Sequence, residues 1–137
     1  MPSTPSVEPT AKGVILRAEP GRVVFHPRET NYELDLVATG AFEAGQHVGG
    51  VIRCDARKVY TVPSGGNFIQ PVLGTPRIVQ GRVVTLTEQT ITVRAGNAFF
   101  VVTLPTGKDT IDLHVGNIAA GSLVNVVALP GASFEAA

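Results

Sequence analysis

The chain has 137 residues and a mass of 14.3 kDa, enough for one ordinary domain or two very small ones. A single cysteine, Cys54, excludes an internal disulfide framework, and a net charge of zero removes the strongest compositional argument for a nucleic-acid partner. No stretch reaches the roughly 18 apolar residues of a membrane span, and the N-terminus lacks the regions of a signal peptide. We therefore expect a cytoplasmic protein that is not inserted in a membrane.

The residue types favour strands over helices. Twenty valines and seven isoleucines stand against nine leucines, and β-branched side chains suit a pleated surface. Fifteen glycines and ten prolines interrupt the chain at short intervals, and no window shows helical spacing of apolar residues. The expected fold class is all-β.

Taken in chain order, the pattern predicts a disordered Pro/Ser/Thr-rich tail over 1–11 and then short strands joined by turns. An apolar linker over 63–76 contains Phe68 and Ile69, so we expect it to lie packed against the rest of the protein. The predicted strands are 12–18, 22–26, 31–37, 47–54, 57–62, 77–86, 90–95, 98–104 and 123–129.

Residues 13–54 and 81–128 follow one plan, that is, the same order of strands and turns. Equivalent residues of the two copies are 68 positions apart, and 76 apart after a longer loop in the second copy. The alternative is a chance match of valine-rich strands. In the first hairpin we expect Phe25 opposite Tyr32 and Val23 opposite Leu34, with Arg22 and Asp35 forming an ion pair on the other face. The same register in the second copy pairs Val93 with Phe100 and Ile91 with Val102, across a tight turn at Gly96-Asn97.

Each copy is about the size of a five-stranded barrel, and its Gly-started first strand and Gly-x-x-Val entry to a late strand resemble OB-type barrels. The stretch 64–83 and the ending Gly131-Ala-Ser-Phe134 are similar to small proteins of planctomycete bacteria that have no known activity. This resemblance covers most of the chain and implies no site.

The expected organisation is therefore two tandem OB-like barrels related by internal duplication. The first spans 12–62 and the second 77–132, with the linker 63–76 between them and a short tail over 133–137. The second barrel lacks an obvious fifth strand after Leu129, and a linker strand near 69–73 is one way to complete it.

Two surfaces are candidates for binding. On the third strand of the second copy, Phe99 and Val101 face outward and call for a covering partner, which is the other barrel, the linker residues Phe68 and Ile69, a second copy of the chain, or a ligand.

The second candidate is a basic middle segment, 53–94, which carries a balance of +4 although the whole chain is neutral. If these side chains share one face with an aromatic residue among them, they can bind single-stranded nucleic acid. The alternative is that they are separate, solvated residues on different strand faces. The residues of this candidate are Arg53, Arg57, Lys58, Tyr60, Arg77, Arg82 and Arg94.

The remaining residues support no catalytic site. His26, His47 and His114 have no metal-ligand spacing, and Cys54 ends an apolar strand with no histidine placed beside it. We expect a non-catalytic binding or assembly module without cofactor or metal. Its partner is another protein or a second copy of the chain, with single-stranded nucleic acid as the alternative.

Overall fold

The computed structural model describes residues 10–87, 89–96, 98–104 and 118–136, and these residues form strands and turns without a helix. The predicted all-β class is confirmed, as a mixed sheet with parallel and antiparallel pairs. No described segment is an apolar helix long enough to cross a membrane. The strands are β1 (Ala11–Glu19), β2 (Arg22–Pro27), β3 (Glu33–Val37), β4 (His47–Thr61), β5 (Phe68–Gln70), β6 (Leu73–Gly74), β7 (Ile78–Leu86), β8 (Thr90–Ala95), β9 (Ala98–Thr103), β10 (Leu123–Ala128) and β11 (Ser133–Ala136).

Three strand predictions need correction. The strands expected over 47–54 and 57–62 are one continuous strand, β4. The linker contains β5 and β6, and the expected tail over 133–137 contains β11, anchored by the buried ring of Phe134. The predicted tail over 1–11 falls largely on 1–9, which lie outside the described residues.

The long strand β4 takes part in two circuits of paired strands. In the first circuit, β1 pairs with β2, β2 with β3, β3 with β11, β11 with β4, and β4 with β1 again. In the second circuit, β4 pairs with β10, β10 with β7, β7 with β8, β8 with β9, and β9 with β4. The two circuits therefore share one strand.

The fifth strand of each circuit comes from the other half of the chain. β11 follows the second copy of the plan but pairs with β3 and β4 in the first circuit. The second half of β4 lies in the segment expected to form the first barrel, 12–62, but pairs with β9 and β10 in the second circuit. The expected division into 12–62 and 77–132 therefore does not follow the strand pairing, because the paired strands cross that boundary in both directions.

The strand registers of the two halves agree closely. Gly13 lies opposite Val48, and Gly81 lies opposite Val124, which reproduces the sequence offsets of 68 and 76. The β1–β2 and β7–β8 pairs each contain one register shift, and the residues bulged there are Leu16 and Val84, again 68 apart.

The predicted register of the second hairpin is confirmed, since Val93 lies opposite Phe100 and Ile91 opposite Val102. Gly96 has the positive φ of 63° that its turn requires, while Asn97 lies outside the described residues.

The predicted register of the first hairpin is wrong by two residues, because Phe25 lies opposite Leu34 and not Tyr32. Its wider turn is held by Thr30, whose hydroxyl donates to the Pro27 carbonyl and accepts from the Tyr32 amide. A shift of two keeps every side chain on its predicted face. The expected ion pair therefore forms, with Arg22 Nη2 2.8 Å from Asp35 Oδ1.

The linker connects the two circuits. β5 pairs with β7 of the second circuit, and β6 pairs with β3 of the first. The linker is thus packed on the protein, and the second half of β4, rather than a linker strand near 69–73, completes the second circuit.

The buried apolar residues form one continuous cluster that draws on both circuits. Phe25 and Phe134 stack in the first circuit with their ring centroids 4.7 Å apart. Phe100 and Val126 are fully buried in the second. Ile69 of the linker belongs to the same cluster, so the three parts of the chain share one core.

Candidate functional site

The apolar residues predicted to bind a partner are mostly covered within the chain. Ile69 is 1% exposed and Val101 is 7% exposed, whereas Phe68 and Phe99 are half-buried. In the sheet, Val101 lies between Thr92 of β8 and Arg53 of β4. Val101 and Ile69 are therefore packed inside the molecule and are not available as contacts for a separate protein.

The basic residues of 53–94 do not form a single cluster. Arg53 lies beside Glu135, with Nη2 3.4 Å from Oε1. The other cations form two groups at different levels of the second circuit. Arg82 and Arg94 form one group, on β7 and β8, and Arg57, Lys58 and Arg77 form the other, near the end of β10.

Arg82 and Arg94 lie directly opposite each other on neighbouring strands, and both are exposed. Arg94 is in turn opposite Phe99, and its guanidinium carbon lies 5.8 Å from the centre of that ring. Arg82 donates to the Gly121 carbonyl at 2.9 Å. Like charges directly opposite each other on a sheet repel, so an anion bound between the two arginines would reduce their repulsion.

On the same outward face, two further cross-strand rows continue toward the end of β10. Tyr60 lies opposite Asn125, Asn125 opposite Gln80, and Gln80 opposite Phe68. Lys58 lies opposite Val127 in the next row. Tyr60 and Phe68 thus share the face of Arg82 and Arg94, but a segment of the chain crosses this face of the sheet.

The crossing segment, 63–67, covers the middle of this face. Gln80 Nε2 donates to the Gly66 carbonyl at 2.9 Å, and Asn125 Nδ2 donates to Gln80 Oε1 at 3.1 Å. A side chain at Gly65 would collide with Gln80, so the glycine allows the segment to lie this close. The sequence did not indicate these two buried amides, because an isolated polar residue in an apolar strand does not show which residue it pairs with.

Arg57 and Arg77 line a groove of about 1000 Å³ at the end of β10. Arg57 is the bulged residue of β4, since Val127 pairs with Lys58 and Ala128 with Ala56. The Ala128 amide donates to the Arg77 carbonyl at 2.8 Å, so the two arginines flank β10. The other residues that line the groove are Gln70, Pro71, Thr75, Pro76, Ile78, Val127, Ala128, Leu129 and Pro130.

Both arginines of this groove are exposed, and neither forms an ion pair with a carboxylate of the described residues. Leu129 is 40% exposed there, beside the half-buried Val127 and Ile78. The groove therefore combines an apolar wall with two cations that have no counter-charge in the described part of the chain.

The remaining residues singled out in the sequence are Cys54 and the three histidines. Burial raises the pKa of the Cys54 thiol to about 12, with a smaller contribution from the nearby charge of Asp55. The described residues hold no cluster of three His, Cys, Asp or Glu side chains suited to a metal ion. His114 lies outside the described residues. His26 and His47, by contrast, line one cavity on the first circuit.

Comparison with models of protein families, with characterised proteins and with solved structures gives no match to this chain.

Proposed function

We propose that this chain is a non-catalytic binding module that holds an extended segment of another protein in the groove between Arg57 and Arg77. The observation that carries the proposal is the pairing of an exposed apolar wall with two arginines that have no described carboxylate partner. The occupant is an acidic segment that carries a leucine-like side chain. Its carboxylates pair with the arginines, and its apolar residue packs on Leu129 and Val127.

The scaffold that we propose for this groove is two small OB-like barrels that arose by internal duplication. The equal registers of β1–β4 and β7–β10 and the equal positions of the two bulges support this origin. Strands that are paired on both edges give a rigid support, and a rigid groove loses less conformational entropy when it binds.

A synthetic eight-residue peptide of alternating glutamate and leucine, carrying a fluorophore, tests the groove. We expect binding in a fluorescence-anisotropy titration, and no binding of the matched peptide of lysine and leucine. The double variant Arg57→Glu/Arg77→Glu should lose at least about tenfold in affinity, because it removes both charge pairs with the peptide and places repelling charges in the groove.

The control is Arg17→Glu, which reverses an exposed charge on β1 outside the groove. Equal losses of affinity in the control and the groove variant would show that the peptide is held by general electrostatic attraction and not by the groove. Absence of binding by the glutamate–leucine peptide would reject the proposed function.

A second candidate function is binding of single-stranded nucleic acid by Arg82, Arg94 and Phe99. Their common row on β7, β8 and β9 favours it, since two cations for phosphates lie next to a ring on which a base can stack. We expect a short oligonucleotide to bind at low salt and to weaken as salt rises, and Arg82→Gln/Arg94→Gln to reduce both the affinity and the salt slope. No binding at tens of millimolar salt, or binding that salt does not weaken, excludes this candidate.

A further inference from the structure

A second cavity, of about 500 Å³, lies on the outward face of the first circuit and is bordered by two histidines. β1 runs between β2 and β4, and Val14 is opposite both His26 and His47. The two histidines therefore leave the same face of the sheet, with their backbones two strand spacings, roughly 10 Å, apart.

Three further residues border the same cavity. Lys12 lies two residues before Val14, and Gly49 lies opposite Lys12. The Arg28 amide donates to the Lys12 carbonyl at 2.8 Å, which places Arg28 at the same end of the cavity. Gly49 has no side chain, so the floor of the cavity stays open between the basic residues.

The His26 ring is held in one orientation. Its Nδ1 lies 2.8 Å from the Tyr32 carbonyl oxygen, and a carbonyl only accepts, so Nδ1 carries a hydrogen and donates it. The second ring nitrogen, Nε2, is then left for a ligand. It donates to an anionic oxygen when the ring is protonated and accepts from a hydroxyl when the ring is neutral.

The charges around the cavity are mainly positive. Lys12 and Arg28 are both exposed, and Glu29 is the only carboxylate in the described lining. No carboxylate of the described residues forms an ion pair with Lys12 or His47. A concave surface with an excess of positive charge concentrates anions.

The equivalent place in the second circuit is filled by the protein itself. The registers that pair Lys12 with Gly49 in the first circuit pair Gln80 with Asn125 in the second. There the two amide side chains and the Gly66 carbonyl occupy the space under the crossing segment 63–67. The first circuit has a lysine and a glycine at these two positions, which leaves an open basic cavity.

We infer that this cavity binds a phosphate group, either as the free anion or as a phosphomonoester carried by a larger molecule. Lys12 and Arg28 supply charge-assisted hydrogen bonds to the phosphate oxygens. The histidines lie on either side, where each ring offers a nitrogen to an oxygen or a hydroxyl of the phosphate. The open floor at Gly49 lets the tetrahedral group sit close to the strand.

The test is a titration of the ¹⁵N-labelled full chain with inorganic phosphate, followed by backbone amide chemical shifts. We expect saturable shifts at Val14, His47 and Gly49, and none with chloride at equal ionic strength. Lys12→Gln should weaken binding by about tenfold through the loss of one charged partner. Arg17→Gln, an exposed charge farther along the same strand, should leave it unchanged.

A second variant blocks the cavity without removing charge. Gly49→Asn introduces the residue found at the equivalent position of the second circuit. A Cβ at Gly49 meets only ordinary contacts, at 3.7 Å from Lys12 Cγ and 3.9 Å from the Ala11 oxygen, so the variant should keep its fold and its melting temperature. We expect it to lose phosphate binding.

Retention of full affinity by a folded Gly49→Asn protein would overturn the inference, and so would linear, unsaturable shifts in the parent chain. A parallel titration with a short peptide that carries phosphoserine identifies the source of the group. Tighter binding of that peptide indicates a phosphorylated partner, and equal binding indicates the free anion.

Discussion

Cys54 illustrates how burial, more than a neighbouring charge, decides the chemistry of a side chain. It is 4% exposed within the shared core, and burial raises the pKa of its thiol from 9.0 to about 12. The sequence pattern predicted that Cys54 ends an apolar strand, whereas in the structure it lies buried in the middle of β4. A thiol in this setting is a packing group and not a nucleophile.

We predict that Cys54 in the folded protein reacts with a thiol-specific disulfide reagent at pH 8 at least about a thousandfold more slowly than in denaturant. A pKa of about 12 in place of 9.0 lowers the fraction of thiolate at pH 8 by that factor, and burial blocks access of the reagent as well. The rate of absorbance change reports the reaction. Comparable rates in the folded and denatured states would show that the residue is accessible.

The same shift has a consequence for stability. The unfolded thiol ionises near pH 9.0, whereas the folded thiol keeps its proton up to about pH 12. This group therefore leaves the free energy of unfolding unchanged below pH 9 and lowers it as the pH rises from 9 toward 12. The Cys54→Ala variant should lack this part of the alkaline decline in a series of urea denaturations.

Phe134 shows what one aromatic residue contributes near the end of the chain. Its ring packs at 4.7 Å from Phe25 and at 5.7 Å from Phe42, and a side chain at Gly50 would collide with it. Phe134→Ala should lower the free energy of unfolding by about 3–5 kcal/mol. Glu135→Gln, whose side chain is 67% exposed, should change it by less than about 1 kcal/mol in the same denaturant titrations.

At the scale of elements, the linker is a structural part of the protein. β5 extends the edge of β7, and the Ile69 amide donates to the Tyr32 hydroxyl of the first circuit at 3.1 Å. Ile69 itself is buried in the common core, whereas Leu73 of β6 is 62% exposed. The sequence indicated contact because this segment is apolar, but nothing in it specified which strands it joins.

Ile69→Asp should therefore destabilise the protein by more than about 3 kcal/mol, since it places an unpaired charge in the core. Leu73→Asp, in the same linker, should shift the free energy of unfolding by less than about 0.5 kcal/mol. Thermal melting followed by far-UV circular dichroism measures both. A similar small effect at the two positions would mean that the linker is not part of the core.

At the scale of the whole molecule, the exchange of β11 and the second half of β4 ties the two copies together. Each circuit needs a strand from the other half of the chain, and the core runs through both. Neither half buries its apolar face with its own strands.

We predict that residues 1–62 and 63–137, expressed separately, each remain unfolded and that mixing them restores the native spectrum. The reason is that each fragment lacks a fifth strand and exposes part of the core. Amide proton dispersion in NMR spectra distinguishes the states. A well-dispersed spectrum of the first fragment alone would show that its circuit folds without β11.

The sequence by itself determined the strand class, the inward faces and the offsets of 68 and 76, because these depend on side-chain alternation and turn chemistry that act over a few residues. It also determined the register of the hairpin with the short turn, between β8 and β9. The longer turn after Pro27 left room for a shift of two residues that no local pattern detects.

Only the tertiary structure decided which strands complete each circuit and which charged residues meet. Apart from Arg53, the basic residues of 53–94 separated into two groups, and His26 came together with His47 through a common neighbour, Val14. Such meetings depend on pairing between distant strands. The free energy that stabilises this pairing comes from the whole shared core, so the residues that meet do not predict it by themselves.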